Sequence, residues 1–539
     1  MKEICRVLGK FFLGLTVCLL IPLGVAVIYE YFLEPEFNVG ATWAFLETMG
    51  ISLAIGLLLK KVSPRAKGRL QRKESIFLVA VIWFITAAMG SLPFLFSGVL
   101  KNPIDAYFES MSGLTTTGVS ILHPKAYDAS GAEIPIIAEN PIDPTIVYTF
   151  SGTVTPLRDK TGALLAEGLE ALGKPLLFWR CFMEWIGGMG IVLLFIAILP
   201  ALGMGGKMLF ESEMSGVSKE GMTPRIRETA SLLWKIYAGL TCVQIALLIF
   251  TNDRISLFDA VTLTFSTIST GGFTVHNNGI MGFQNSLTQA IIVIFMILGS
   301  LNFTLYFHTL RGKFYRLYEP EFYLYLIVLI GGCLLMSWNL WNTPQGLSNH
   351  YYSLTSALAN GSFQAISALT STGFFISNYD MWPYTCQLLI LILMYIGGMS
   401  GSTTGGIKIA RYVIILKVIK RKIETLFRPE LVRIVKVGER EISDKMAITT
   451  LTFFCVVIAV VIIGSYLLIM DQNDPQTALG VISCMINNNS LLLGGTGAFG
   501  SFAFLTPFSK IVSIVSMALG RLEYFSLLVL FIPAFWKKT

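Results

Sequence analysis

Apolar runs of about twenty residues recur along the whole of this 539-residue chain. Wound as a helix, a run of that length crosses the ~30 Å hydrocarbon core of a bilayer. Lipid is therefore the solvent for most of the chain. Composition agrees: 54% of residues are hydrophobic and 14% charged, against roughly 25% charged in soluble domains. Ten spans fit the runs, near 8–32, 38–59, 74–98, 176–200, 229–251, 286–308, 321–341, 383–411, 446–470 and 508–535. The first run is too long for a secretory signal and no small-residue cleavage site follows it, so it reads as an uncleaved span.

Charge sets the orientation. The segment 60–73 carries Lys60, Lys61, Arg65, Lys67, Arg69, Arg72 and Lys73, and basic loops face the cytosol. The loops near 201–228 (Lys207, Lys219, Arg225, Arg227), 309–319 (Arg311, Lys313, Arg316) and 412–445 (Lys417, Lys420, Arg421, Lys422) then share that side. Both termini do as well. The insertion 121–174 is acidic and rich in Pro, Gly and Thr, and falls outside. A net charge of +7 is thus a topology signal and predicts no nucleic-acid partner. The eight cysteines form no CxxC pair and only four histidines are present. No metal cluster, disulfide framework or organic cofactor is indicated, and the cysteines read as buried packing residues.

Four stretches break the span pattern: 104–119, 258–273, 360–375 and 476–491. Each follows an outward span and precedes an inward one, too short to cross and too apolar for an outside loop. They read as re-entrant half-helices. Counting back thirteen residues from Gly118, Gly272, Gly373 and Ser490 reaches Asp105, Asp259, Asn360 and Thr477, all residue types that cap a helix start. Downstream lie Thr115-Thr116-Thr117-Gly118, Ser269-Thr270-Gly271-Gly272, Thr370-Ser371-Thr372-Gly373 and Asn487-Asn488-Asn489-Ser490. The predicted fold is all-α and integral to the membrane. Four tandem span–pore-helix–span repeats stand in pseudo-fourfold arrangement, with two further N-terminal spans. Its units are 1–62 (two spans), 63–200 (repeat 1 with the insertion), 201–308 (repeat 2), 309–411 (repeat 3), 412–445 (a basic cytosolic linker) and 446–539 (repeat 4).

Such a repeat suits a cation. A half-helix of about ten residues is ~15 Å long, half the membrane's thickness. Entering from outside, it ends near the midplane with its negative dipole end. Irregular backbone after it is tolerable only where it lines water or protein, and there its carbonyls can replace an ion's water shell. One Thr-Thr-Gly alone would signify helix packing by small residues. Four aligned copies point to a filter.

At this point the sequence resembles the Trk/Ktr/HKT superfamily of potassium transporters, and its TrkH branch most closely. The stretches that carry the resemblance are FWRCFMEWIGGMGIVLL (178–194), FSTISTGGFT (265–274), YIGGMSGSTTGGIKIAR (395–411) and LGRLEYFSLLVLFIPAFW (519–536). The resemblance implies potassium uptake rather than enzyme activity, homodimers with a pore in each protomer, and a cytosolic nucleotide-binding ring of TrkA type. It places the ion-coordinating positions on Thr116, Thr117, Gly118, Thr270, Gly271, Gly272, Ser371, Thr372, Gly373, Asn488, Asn489 and Ser490. The family usually has Gly followed by Pro-Gly at the fourth site. This chain has Ser490-Leu491-Leu492. In the plant branch a serine at a filter glycine accompanies sodium permeation, so a sodium-permeable or ion-coupled symporter is the alternative.

Residues 397–406 include Gly397, Gly398, Gly401, Gly405 and Gly406 among serines and threonines. That composition predicts two half-helices joined by a loop, which the resemblance identifies as an intramembrane gate. Arg521 and Glu523 lie inside the last span, where charge is costly. Arg521 is expected beneath the filter near the gate, or else paired with Glu523 or a carbonyl. Arg180 and Glu184 read as interfacial, and Lys408 and Arg411 as gate contacts or interfacial anchors. A helix over 415–427 could dock on a regulator or on anionic lipid. An organic-solute carrier would instead predict inverted repeats, whereas these four run parallel. No P-loop, G-x-S-x-G or metal spacing supports an enzyme.

Overall fold

The computed structural model describes residues 2–35, 40–62, 72–128, 130–140, 143–158, 164–190, 226–283, 285–314, 318–345, 351–428, 436–438, 440–497 and 500–537. The basic stretch expected at 60–73 and the loop at 201–228 lie largely outside these residues, as does the second half of the span expected at 176–200.

Among the described residues six helices are long and apolar enough to cross a membrane unbroken: α1 (Lys2–Leu33), α2 (Ala41–Val62), α3 (Arg72–Phe96), α6 (Ile226–Thr251), α10 (Pro320–Leu340) and α14 (Asp444–Met470). The short helices between them are α4 (Pro103–Leu114), α7 (Leu257–Ile268), α11 (Leu354–Leu369) and α15 (Pro475–Asn487). They lie where the re-entrant segments are expected and are 12, 12, 16 and 13 residues long.

Their caps differ from the sequence expectation. Asn102 accepts from the Ile104 N–H, Ser256 from Asp259, Ser353 from Ser356 and Asp474 from Thr477. Asp105, Asp259 and Thr477 therefore sit inside the first turn. Asp259 is still useful there: its N–H donates to Ser256 Oγ at 3.1 Å and its carboxylate accepts from the Ser256 hydroxyl at 2.7 Å. Asn360 lies well within α11, where its amide donates to the Ser356 carbonyl at 2.9 Å. The first and last caps are followed by Pro103 and Pro475, whose fixed φ and missing N–H suit a helix's first position.

The second helix of repeats 2, 3 and 4 is interrupted, and that of repeat 1 ends early within the described residues. In repeat 1, α5 (Lys174–Gly188) stops after 15 residues. In repeat 2, α8 (Ser286–Ser300) turns by 95° into α9 (Phe303–Leu310). In repeat 3, α12 (Tyr384–Ile396) and α13 (Ile409–Phe427) flank the glycine-rich loop. In repeat 4, α16 (Pro507–Arg521) turns by 114° into α17 (Phe525–Phe531). The spans expected at 286–308 and 508–535 are thus bent pairs. Asn302 makes the first bend by capping α9, its side chain accepting from the Thr304 N–H.

Packing is cyclic. Each half-helix leans on the span before it: α4 on α3, α7 on α6, α11 on α10, α15 on α14. Each also leans on the second helix of the preceding repeat: α7 on α5, α11 on α8, α15 on α12 and, closing the circle, α4 on α16. The insertion 121–174 forms three short antiparallel hairpins, pairing 126–127 with 133–134, 136–139 with 147–150, and 157–158 with 164–166. Tyr148 there donates to Asp474, the cap of α15, and to Thr477 Oγ1 at 3.0 Å. Cys181, Cys386 and Cys484 are buried as expected, whereas Cys242 and Cys455 lie on outer faces.

Candidate filter and gate

All four half-helices end in the same backbone device. One or two residues past each C-terminus, at the same aligned position, the chain is left-handed: Thr116 at φ 54°, Thr270 at 54°, Ser371 at 52° and Asn488 at 47°. Side chains in that region cost about 1–2 kcal/mol each, so four copies at one structural position mark imposed geometry. Two residues on, Gly118, Gly272 and Gly373 are left-handed again, at φ 72°, 96° and 82°. Ser490, the fourth, is not among the positive-φ residues, as its Cβ would lead one to expect.

The four segments form a ring. A Cβ on Gly118 would collide with the Gly271 carbonyl oxygen, one on Gly272 with the Thr372 carbonyl oxygen, and one on Gly373 with Ser490 Oγ. The Ser490 hydroxyl donates to the Gly373 carbonyl at 3.0 Å, and the Asn489 amide to the Ala368 carbonyl at 3.0 Å. Asn488 closes the ring by donating to Thr117 Oγ1 at 3.0 Å. Repeat 1 thus meets 2, 2 meets 3, 3 meets 4 and 4 meets 1.

The hydroxyls beside the filter backbone are engaged with protein. Thr117 pairs with Thr115 at 2.7 Å and Thr372 with Thr370 at 2.9 Å. Thr116, Thr270 and Ser371 bond toward the gate region. Behind the ring runs a set of struts that the sequence reading missed. Ser112 donates to the Val119 carbonyl at 2.6 Å, Ser367 to Phe374 at 2.6 Å and the Cys484 thiol to Leu491 at 2.8 Å. The same register carries Ser266 in repeat 2, where the Phe273 N–H donates to Glu184 instead, at 3.1 Å. The signal was a Ser, Ser, Ser, Cys column in the four-way alignment.

Arg180 and Glu184, expected at the interface, are 1% and 0% exposed. Both face inward because each has a partner behind the ring: Glu109 for Arg180, and the backbone of Phe273 for Glu184. Outside the ring opens a cavity of about 320 Å³, floored by Gly118, Gly272, Gly373 and Ser490. Residues of the insertion, His123, Pro124 and Glu167 to Leu169, form part of its wall.

Inside the ring lies the glycine-rich loop. Gly397 ends α12 at φ 70°, and Gly401 and Gly406 are left-handed at 77° and 76°. A Cβ on Gly398 would crowd Thr404 and one on Gly405 the Asn487 carbonyl. Thr403 Oγ1 accepts from Thr270 at 3.2 Å and donates to the Ile268 carbonyl at 3.1 Å. The Gly405 N–H donates to Ser371 Oγ at 2.7 Å, and the Ser400 N–H to Glu321 at 2.6 Å. Arg521 completes this floor. It donates to Thr116 Oγ1 at 3.2 Å, to the Thr403 carbonyl at 3.0 Å, and to the carbonyls of Gly187 and Gly188. Glu523 pairs instead with Arg411, at 2.5 Å. Lys408 is 7% exposed and donates to the Thr404 carbonyl and hydroxyl. Lys408 is thus bonded to the loop itself, while Arg411 joins the Ile407 carbonyl to Glu523 beside it.

Comparison with known proteins agrees with this architecture. A family model described as TrkH, cation transport protein, matches residues 155–538. The Trk system potassium uptake protein TrkH of Salmonella typhimurium is 32% identical over 100% of this chain and 99% of its own. The Trk system potassium uptake protein TrkG of Escherichia coli is 27% identical over 92% of each. The crystal structure of the potassium transporter TrkH from Vibrio parahaemolyticus superposes with a TM-score of 0.78 at 29% identity, covering 99% of both chains.

Proposed function

The chain belongs to the TrkH family of cation transport proteins, and from that premise we propose that it takes up potassium through a pore on its own pseudo-fourfold axis. The ion enters the outer cavity, loses water to backbone carbonyls around Gly118, Gly272, Gly373 and Ser490, and is stopped below by the 397–406 loop and Arg521. Four helix C-termini bring partial negative charge to the filter's inner end, offsetting part of the cost of dehydrating a cation. Arg521 places a positive charge on the path beyond it, so conduction requires loop and arginine to move aside. The basic segments orient both termini to the cytosol, and the relatives' bacterial origin suits the inner membrane. By family, the working unit is a homodimer gated by a cytosolic nucleotide-binding ring.

The observation that carries this reading is the closed ring of contacts, 1 to 2 to 3 to 4 and back to 1. Growth of a potassium-uptake-deficient bacterium at low potassium tests it. The unaltered chain restores growth, and Gly272→Arg, which fills the ring, abolishes rescue while the protein still accumulates. Full rescue by that variant refutes the filter.

One observation favours a second reading, sodium permeation. The Ser490 hydroxyl bonds the Gly373 carbonyl, diverting one lone pair of a candidate ion ligand and weakening the field a potassium ion would meet. Ser490→Gly then raises potassium-over-sodium discrimination in flux assays. An unchanged ratio removes this reading.

A further inference from the structure

The two sides of the ring are braced by different chemistry. Glu109 of α4 and Arg180 of α5 form a fully buried ion pair at 2.7 Å. Neither faces the axis as a bare charge, because the pair is also wired to backbone. Glu109 accepts from the Ile121 N–H at 3.0 Å and from the Ser120 hydroxyl at 3.0 Å. Arg180 donates to the Thr274 carbonyl at 3.1 Å and to Ser120 Oγ at 3.3 Å, and its guanidinium lies 4.0 Å from the Phe273 ring centre. The strands leaving the first and second filter segments, 118–121 and 272–274, therefore hang from one ion pair. Glu184 holds the second strand from behind, through the Phe273 N–H. Its carboxylate so closely backs Gly271 that a Cβ there would overlap it. The positions aligned with Glu109 in the other repeats are Leu263, Gln364 and Val481, so no other repeat has a carboxylate there.

We propose that the Glu109–Arg180 pair positions the filter for ion specificity, fixing the carbonyls of repeats 1 and 2 at a spacing that suits potassium. The inference rests on the filter reading above. A carbonyl cage free to contract would coordinate the smaller sodium ion as readily. A charge-assisted brace anchored to both strands resists that contraction more than neutral hydrogen bonds do. Arg180 and Glu109 act through the backbone they hold, as outer-shell groups orient metal ligands.

The test is the potassium-to-sodium permeability ratio of the full chain in proteoliposomes, read from reversal potentials. Glu109→Gln keeps shape and loses charge. It is expected to lower the ratio by about tenfold, the scale of outer-shell losses at metal sites, while potassium still permeates. Arg180→Lys cannot make the three-way contact and lowers the ratio too. Ser120→Ala removes the bridging hydroxyl without stranding a buried charge, so it folds where Glu109→Gln fails to, and lowers the ratio by a smaller factor. A role in folding alone would reduce protein yield and leave the ratio unmoved. An unchanged ratio in Ser120→Ala and in either charge variant that accumulates overturns the proposal. If the unaltered chain passes no cation, the filter reading fails and this inference falls with it; if it does pass cations, only the brace is in question.

Discussion

Thr116, Thr270 and Ser371 hold a backbone conformation that their side chains disfavour, and each leads into a glycine pressed against the next repeat. Such positions tolerate almost no added atoms. Gly118 has the left-handed φ and the Gly271 carbonyl on its Cβ side, both backbone constraints that cannot relax by a rotamer change. Gly118→Ala is expected to cut rubidium uptake by about a hundredfold, as a ~1 Å misplacement in a tuned site does, with protein levels near those of the parent. Strut residues behave differently. Ser367→Ala removes one buried bond to the Phe374 carbonyl and should cost about 1 kcal/mol, seen as a lower melting temperature in detergent with uptake largely kept. At the outer rim, His276 hydrogen-bonds Asp259 at 3.2 Å and lies 3.5 Å from Glu170. The bond to Asp259, aided by both carboxylate charges, holds the imidazole's pKa above its ordinary value against the opposing effect of burial. A raised folded pKa means stabilisation that is complete below the ordinary histidine value and is lost as pH rises through the raised one. Thermal stability should therefore fall across that window, and His276→Gln should flatten the dependence.

Elements were legible where apolar length or repetition spoke. Long runs announced α1, α2, α3, α6, α10 and α14, and four-way alignment found the half-helices. The bends near Asn302 and Leu522 were not legible, because hydropathy averages over a turn and the stretches on both sides are equally apolar. The true caps were misread for a related reason. Asp105 and Asp259 look like caps, but Asn102-Pro103 and Ser256 precede them, and an Asn-Pro step is the stronger start signal. Burial of Arg180 was invisible too, since its partner Glu109 lies in a different helix. The interrupted second helices matter for gating. The break in repeat 3, 397–408, is held by Arg521 from one side and Glu321 from another. Glu321, buried in the first turn of α10, accepts the Ser400 N–H at 2.6 Å, and no shorter side chain at that position could reach it. Glu321→Ala, which removes that acceptor, is accordingly expected to raise basal cation flux without a regulator, by a few-fold in vesicle uptake. A variant as tightly shut as the parent would mean that the loop is secured elsewhere.

Across the whole molecule the outer and inner faces are built for different tasks. Outside, the insertion links repeats: Tyr148 reaches the cap of α15, and the Leu169 N–H donates to Asn277 in repeat 2 at 2.8 Å. Inside, the gate loop runs directly into α13, with Lys408 at its end bonded to Thr404. That helix leaves the packed body carrying Lys417, Lys420, Arg421 and Lys422. Arg421 meets Asp444 at 2.9 Å, a surface pair that contributes little to stability. A force applied to these charges would travel along a continuous helix to the loop that meets the segments of repeats 2, 3 and 4 directly and that of repeat 1 through Arg521. A cytosolic nucleotide-binding subunit with an acidic face would have that lever. Lys420→Ala combined with Lys422→Ala is thus expected to reduce co-purification of such a subunit. The remaining association should weaken further as salt rises past ~0.15 M, where the screening length is ~8 Å. Basal flux without the subunit should be unaltered, because neither lysine touches the loop or the ring. Undiminished co-purification at every salt concentration would show that the gate is driven from another cytosolic surface.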